Sequence, residues 1–302
     1  MSDPKRQHFV PVCYQKPFID PCNPGYVWLF DKKTKKATKR KPENILYSKH
    51  LYTIMVSGGK KDYRIEKTLS AIESEYSKIY NEKIKNRLPL LEYEHAVLCA
   101  FTSTMLQRTL KNKDNLERFI DELISHGLPI KSGNSIHEVK DLIGYKNNFH
   151  RMNVINNLPN ISNLLFQMSV AFLFPKNKKD YFITSDDPCC LFNPDLQWQR
   201  FYGPGLKQKH IQVILPLSPE VALCLTWVNL KGYIALNSYM INDLNRLIYA
   251  NAYKNFISHR NRKKIIWFSK YPPDIIFLYK VFLFKIKMYF KDLKYYAHKR
   301  NF

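Results

Sequence analysis

The stretch Gln7-His8-Phe9-Val10-Pro11 opens the first segment of the chain with strand character. Aromatic and β-branched residues bounded by a proline are typical of a short strand. The same composition recurs further along, and Pro, Gly and charged residues separate the segments. We therefore predict that residues 7–56 form a β region, with strands at 8–14, 26–30 and 51–56.

A second β region begins near residue 181 and runs into Thr184-Ser185-Asp186-Asp187-Pro188. Two prolines, Pro216 and Pro219, predict the turn of a hairpin. Segments rich in apolar and β-branched residues predict the strands, at 181–184, 211–215, 221–227 and 233–236. A helix is predicted to follow from 241 to about 258.

Helical periodicity dominates the region between the two β regions. Apolar residues recur at spacings of three and four from 63 to about 85, which predicts an amphipathic helix: Ile65, Leu69, Ile72, Tyr76 and Ile79. Further helices are predicted at 91–110, 115–126 and 139–143. The apolar stretch 161–174 is too short to cross a bilayer, and we interpret it as a buried helix.

This order of strands, helices and strands predicts an α+β fold. We expect a single domain over 1–264, in which the N-terminal and C-terminal strand regions form a mixed or antiparallel sheet around a helical insertion at about 63–175. Residues 265–302 are predicted to be a C-terminal helical extension.

The Gln-His motif and the Ser185-Asp186-Asp187-Pro188 turn, in this order, resemble a mainly bacterial family known as domain of unknown function 4238. Asp187 stands where the family usually has Asn. The resemblance continues through segments in the family's order: 25–31, 42–47, 65–73, 107–109, 215–219 and 241–245. It implies a bacterial protein of this fold, and the family's name implies no chemistry.

The charge balance favours a polyanionic partner. Lys and Arg number 48 against 25 Asp and Glu, a net charge of +23, which suits nucleic acid or an anionic membrane surface. The alternative is a chain rich in Lys, Asn, Ile and Tyr because its genome is AT-rich. Six scattered cysteines without Cys-x-x-Cys spacing, and no predicted secretion signal, lead us to expect a cytoplasmic protein.

A basic run follows the second predicted strand. Its first six members are candidate nucleic-acid contacts, because flexible cations bind phosphates: Lys32, Lys33, Lys35, Lys36, Lys39 and Arg40. Lys41 ends the run. The alternative is a solvated loop.

Arg108 is predicted to project from the apolar face of the second helix, where a charge needs a partner. Glu66 and Glu73, seven residues apart on one face of the preceding helix, are the candidates. One interpretation is an ion pair that fixes helix register. The other is an arginine that holds a phosphate, oriented by the glutamates.

His8, Asp186 and Asp187 complete the set of candidate catalytic residues. A histidine is suited to general acid or base chemistry at neutral pH. The two aspartates follow a strand, where they are candidates to bind a divalent cation or to polarise His8. The alternative for both motifs is structural, since Ser-Asp-Asp-Pro is ordinary turn chemistry. We expect His8, Arg108 and Asp186 to surround one pocket.

The C-terminal extension contains a predicted basic amphipathic helix at 274–299, with Lys280, Lys287, Lys291 and Lys294 on one face. One interpretation is a segment that binds an anionic membrane surface or a protein partner. The other is a helix docked on the domain with its lysines in water.

Together these patterns lead to a functional hypothesis: an enzyme that acts on nucleic acid or another phosphate-bearing substrate, for example an RNase-like effector in phage defence. The alternative is a non-enzymatic nucleic-acid-binding or protein-interaction module. The sequence lacks a Gly-rich phosphate loop, a Gly-x-Ser-x-Gly elbow and a His-Glu-x-x-His motif, which argues against the enzyme classes that those motifs mark.

Overall fold

The computed structural model describes residues 6–55, 61–127, 130–132, 135–137, 139–194, 196 and 204–261. The predicted helix at 274–299 lies outside them. A π-helical turn, Tyr80–Ile84, continues α2, and 3-10 turns lie at Lys16–Phe18 and Pro42–Asn44. The described helices are α1 Val12–Gln15, α2 Arg64–Ile79, α3 Glu92–Gln107, α4 Leu110–Ser125, α5 Val139–Asn156, α6 Leu158–Phe166 and α7 Ser238–Asn251.

Fifteen strands are described in these parts of the chain, and the longest run through the centres of two sheets. In chain order they are β1 Arg6–His8, β2 Val27–Asp31, β3 Ala37–Arg40, β4 Tyr47–Lys49, β5 Ile54–Met55, β6 Lys61–Asp62, β7 Ile130–Ser132, β8 Ser135–His137, β9 Ser169–Pro175, β10 Thr184–Ser185, β11 Cys190–Phe192, β12 Gln212–Ser218, β13 Val221–Thr226, β14 Gly232–Leu236 and β15 Asn255–Ser258.

The larger sheets are an antiparallel one of order β10-β15-β2-β3 and a mixed one of order β11-β12-β13-β9-β14. In the mixed sheet β14 runs parallel to β9. The first sheet joins the N-terminal strand β2 to the C-terminal strands β10 and β15, as predicted, and helices α2–α6 lie between these strands in the sequence. The α+β fold is confirmed. The predicted division into domains stays a prediction.

Two predicted helices were wrong in part. Residues 161–174 are split, because α6 ends at Phe166 and Ser169–Pro175 form β9 between β13 and β14. The helix predicted to reach 258 ends at Asn251, since Ala252 is extended, and the next residues form β15. A short apolar run is compatible with a buried helix or a buried strand, and the neighbours available for pairing decide.

Three predicted strands were too long. The first ends at His8, because the chain turns at Pro11 into α1. The segment predicted at 51–56 pairs at β5, and that at 181–184 pairs from Thr184. The proline hairpin is confirmed, with Pro219 in the turn and Pro216 inside β12 at an irregular register.

Two hydrophobic clusters fill the interior, one between the helices and the mixed sheet and one that α7 forms with residues of both larger sheets. Tyr14, fully buried, connects the sheets: its hydroxyl donates to the carbonyl of Pro216 on β12 at 2.5 Å and lies 2.7 Å from Oγ1 of Thr184 on β10. Among the described residues, no helix has the length and apolarity needed to cross a membrane.

His150 on α5 makes the stability of this fold depend on pH. Burial lowers its pKa from 6.5 to about 4, and its Nε2 lies 3.0 Å from the carbonyl of Gln107. As the pH falls, His150 is protonated in the unfolded chain before it is protonated in the folded chain. Its contribution to the free energy of unfolding is therefore complete above pH 6.5 and declines as the pH falls from there toward 4. The loss is about 1.4 kcal/mol per pH unit in that window.

We predict that His150→Gln reduces the loss of unfolding free energy between about pH 7.5 and pH 5, measured by urea denaturation, by on the order of 1–2 kcal/mol. The comparison with the wild type is needed because burial also lowers the pKa of His8 and His95. An unchanged pH dependence in the variant would contradict the prediction.

Candidate functional site

Arg108 lies directly after α3 with its side chain 3% exposed. Its Nη1 donates to Oε1 of Glu73 on α2 at 2.7 Å, and its Nη2 donates to the backbone carbonyl of His8 at 2.5 Å. The predicted contact between Arg108 and a glutamate of the preceding helix is therefore confirmed, with Glu73 as the partner. Glu66 lies two turns earlier on α2, and its charge acts on Tyr52.

Tyr52 closes the other side of the arginine. Its hydroxyl donates to the backbone carbonyl of Arg108 at 2.8 Å, and its ring centroid lies 5.6 Å from the guanidinium carbon. Burial raises the pKa of Tyr52 to about 12, so the hydroxyl keeps its proton. We call His8, Tyr52, Glu73 and Arg108 the arginine cluster.

The Gln-His motif supplies two different contacts to this cluster. Gln7 is buried; its Nε2 donates to Thr53 Oγ1 at 2.6 Å, and its Oε1 accepts from the Tyr52 amide at 2.5 Å. Gln7 therefore positions Tyr52. The His8 contribution to Arg108 comes from its backbone, which leaves the imidazole outside the ion pair.

The His8 imidazole is half-buried, with Nε2 3.3 Å from the carbonyl of Glu43 and its edge toward the ring of Tyr47. A contact with a carbonyl places the proton on Nε2 and leaves Nδ1 as the basic nitrogen. Burial lowers the pKa of His8, and the charges of Glu73 and Arg108 act on it in opposite directions. The ring is therefore neutral at neutral pH and chemically able to accept a proton.

Asp186 faces the backbone of the antiparallel sheet. Its carboxylate accepts from three successive amides, those of Tyr253, Lys254 and Asn255, at 2.7–2.8 Å. Burial raises the pKa of Asp186, and the three N–H donors oppose that shift. The side chain thereby fixes the entry into β15.

Asp187 ties two helix ends together. Its Oδ1 accepts from Thr109 Oγ1 at 2.9 Å, and its Oδ2 lies 3.0 Å from both Lys111 Nζ and Asn251 Nδ2. Thr109 is the N-cap of α4, and Asn251 is the last residue of α7. We call Thr109, Lys111, Asp186, Asp187 and Asn251 the aspartate cluster.

The structure brings His8, Glu73 and Arg108 together, and it places the two aspartates in a separate cluster. The peptide bond between Arg108 and Thr109 connects the clusters. His8 belongs to the two-stranded sheet β1-β4 and Asp186 adjoins β15, whose amides take up its carboxylate. The pocket expected to be shared by His8, Arg108 and Asp186 and the catalytic roles of these residues stay predictions.

Protein donors already bind the carboxylates of Asp186 and Asp187, where a divalent cation was predicted. To bind both carboxylates it must displace Lys111 or backbone amides. Among the residues the structure describes, no group of three or more His, Cys, Asp or Glu side chains is arranged to hold a metal ion. The cation stays a prediction.

The basic run forms the hairpin β2-β3, and half of its candidate contacts have local partners. Lys32 donates to the carbonyl of Ala252 at 2.5 Å, Lys35 donates to the hydroxyl of Tyr249 at 2.8 Å, and Lys39 bonds the side chain of Asn23. The exposed remainder of the predicted set is Lys33, Lys36 and Arg40.

A cleft of about 630 Å³ was missed by sequence reasoning. Four cations and three tyrosines line it, and we call it the tyrosine cleft: Lys16, Lys85, Lys178, Arg260, Tyr76, Tyr80 and Tyr181. They come from separate segments, each of ordinary composition. Cys13 also lines it, and the pKa of that thiol responds to Glu73 and Arg108, so the cleft adjoins the arginine cluster.

We predict that Asp186→Ala lowers the free energy of unfolding by roughly 2–4 kcal/mol, because it leaves three part-buried backbone amides without their acceptor. Asp186→Asn should lower it less, since an amide oxygen remains. Urea denaturation measures both, with the exposed Glu82→Ala as the control. A wild-type unfolding free energy in Asp186→Ala would show that the carboxylate is dispensable for the fold.

Comparisons with known proteins place the chain in a family without assigning it an activity. No curated protein and no solved structure gives a significant match. Residues 6–263 match the family described as protein of unknown function (DUF4238), a span that includes both clusters and the tyrosine cleft. The chain therefore belongs to the DUF4238 family.

Proposed function

We propose that this protein binds nucleic acid, or another phosphate-bearing polymer, through the hairpin β2-β3. The observation that carries the proposal is the combination of exposed cations and aromatic rings on this hairpin. Lys33, Lys36 and Arg40 are exposed, while Lys39 lies 5.3 Å from the ring centroid of Trp28 and Lys41 lies 5.7 Å from that of Tyr26. Cations with neighbouring aromatic faces suit phosphates and stacked bases.

The position of the hairpin supports this assignment. β3 is the edge strand of the antiparallel sheet, and three of its four residues are exposed. Lysines on an edge strand also prevent unwanted strand pairing. That second role would explain the charges on β3. It would not explain Lys33 and Lys36, which lie in the connecting loop, and a bound phosphate polymer would.

A second candidate function is an enzyme acting on the bound polymer, an RNase-like effector in phage defence. The His8 imidazole favours it, because the fold uses the His8 carbonyl for Arg108 and leaves the lowered-pKa ring available as a base. In such chemistry the ring would remove the proton from an attacking ribose hydroxyl. Arg108 and Glu73 would then be positioning residues, acting through the His8 backbone.

We predict that the affinity of the full chain for a uridine oligonucleotide of about 20 residues falls steeply as salt rises, because neutralised phosphates release counterions. Replacing Lys33, Lys36 and Arg40 with Gln should reduce the slope of log affinity against log salt by about 2, at roughly 0.7 per lost contact. Fluorescence polarisation over a salt series measures the slope.

The matched control removes the same charge elsewhere, by replacing the exposed Lys67, Lys207 and Lys209 with Gln. Its slope should stay close to that of the wild type. Equal losses in the two triple variants would show a nonspecific effect of net charge. A lack of binding by the wild type at low salt would reject the proposal.

For the enzymatic candidate, we predict that His8→Ala abolishes RNA cleavage by the full chain and shifts the melting temperature little. The carbonyl that accepts from Arg108 survives the substitution, and the ring makes one long contact, at 3.3 Å. Cleavage assays and thermal melts decide, with the exposed His126→Ala as the control. Undiminished cleavage, or a wild type that cleaves no RNA, would reject the candidate.

A further inference from the structure

The tyrosine cleft has the size and lining of a small-ligand site. Its volume of about 630 Å³ falls within the range of pockets that enclose a small organic molecule. It lies among the 3-10 turn after α1, the end of α2, the hairpin β12-β13 and the segments before β10 and after β15. Five parts of the fold thus converge on one concave surface.

Positive charge dominates this surface. Lys16, Lys85, Lys178 and Arg260 line it, against the carboxylates of Asp180 and Glu220. Asp180 already accepts a hydrogen bond from Ser238 Oγ at 2.5 Å. The three lysines are exposed, so their ammonium groups can reach an anionic group without a loss of internal contacts. A phosphate, with several acceptor oxygens, matches such a set of donors.

Tyr76 supplies an independent sign of a ligand. The residue is 1% exposed and lines the cleft, yet its hydroxyl has no hydrogen-bond partner among the described residues. Its ring is held in place by stacking on Phe101, with centroids 3.7 Å apart. A buried hydroxyl without a partner is unfavourable, and a polar ligand atom in the cleft would satisfy it.

Two more tyrosines give the cleft flat apolar faces. Tyr80 packs beside Tyr76 at 6.2 Å between centroids. Tyr181 packs edge-on against His259 at 4.6 Å, and the Arg260 guanidinium lies 5.9 Å from its ring centroid. Ring faces beside cations are the combination with which proteins bind an aromatic base and its phosphate.

We propose that the tyrosine cleft is a nucleotide site, in which the cations hold the phosphate, a tyrosine ring stacks on the base and the Tyr76 hydroxyl bonds a polar atom of the ligand. A role of the cleft in binding one nucleotide of a longer strand rests on the proposed function. The affinity of the cleft for a free nucleotide does not depend on that function. An acidic peptide would use the cations and leave the ring faces unexplained.

One loop borders both the cleft and the basic hairpin. Ile19 and Pro21 line it, and between them Asp20 accepts from Trp28 Nε1 at 2.8 Å and from Asn23 Nδ2 at 2.7 Å. Asn23 in turn bonds Lys39. The same short loop therefore borders the cleft and the aromatic face of β2-β3, so a strand on the hairpin is placed to insert one nucleotide into the cleft.

Calorimetric titration of the full chain with adenosine 5′-monophosphate tests the proposal. Binding should be at least about tenfold tighter than that of adenosine or of inorganic phosphate, because each lacks half of the recognised chemistry. Equal affinity for adenosine would overturn the phosphate contact, and equal affinity for inorganic phosphate would overturn the base contact. No binding of the nucleotide at millimolar concentration would overturn the site.

Two variants locate the site. Tyr76→Phe keeps the ring that stacks on Phe101 and should weaken the nucleotide by about fivefold, the worth of one neutral hydrogen bond. Lys16→Gln with Lys178→Gln should weaken it by about tenfold or more. Wild-type affinity in both variants would overturn the assignment to this cleft.

A hairpin control separates this proposal from the proposed function. Lys33→Gln with Lys36→Gln should weaken the uridine oligonucleotide and leave adenosine 5′-monophosphate binding unchanged. Loss of oligonucleotide binding by the wild type, with nucleotide binding retained, would reject the hairpin function and support the cleft. The reverse result would reject the cleft alone.

Discussion

A buried guanidinium at the end of α3 is the constraint around which the N-terminal half is arranged. A charge that is 3% exposed is strongly unfavourable unless it is paired and hydrogen-bonded. Arg108 meets that requirement with three separate elements: Glu73 from α2, the carbonyl of His8 on β1 and the ring of Tyr52. Moving any of these elements would remove one of the partners that compensate the buried charge.

This constraint explains one part of the Gln-His motif and leaves another part unexplained. Gln7 holds Tyr52 in place through the Tyr52 amide, and the His8 carbonyl accepts from Arg108, so both contacts are structural. A backbone carbonyl, however, is supplied by any residue type. The identity of residue 8 as histidine is therefore not required by the ion pair, and the contacts of the imidazole itself are with the Glu43 carbonyl and the Tyr47 ring.

The Ser-Asp-Asp-Pro turn is accounted for differently, because its side chains are themselves structural. The Asp186 carboxylate accepts from three amides at the start of β15, and Asp187 holds Thr109, Lys111 and Asn251. Protein donors therefore satisfy both carboxylates, and neither needs a ligand. Of the candidate residues in the two motifs, His8 is thus a stronger choice for chemistry than either aspartate.

The sequence predicted what depends on local periodicity. The apolar stripe of α2 and the position of Arg108 at the end of α3 were readable, so a contact of Arg108 with Glu66 or Glu73 was expected, and the structure shows Glu73. Strands β9 and β15 were misassigned because pairing partners distant in the sequence determine them. The tyrosine cleft was invisible for the same reason, since Lys16, Tyr76 and Arg260 become neighbours only when the chain is folded.

The excess of basic residues is also partly a property of the fold. Several cations bond backbone carbonyls: Lys32 with Ala252, Lys111 with Asn251, and Arg151 with Leu51. The first two bind at the C-terminal end of α7, where the helix dipole favours positive charge. A chain with 48 basic and 25 acidic residues can thus stabilise part of its charge through backbone carbonyls. The exposed lysines of the hairpin and the cleft lie on either side of one loop, and the proposed binding of a polyanion depends on that arrangement. Other exposed lysines, such as Lys67, Lys207 and Lys209, lie elsewhere, as compositional drift would place them.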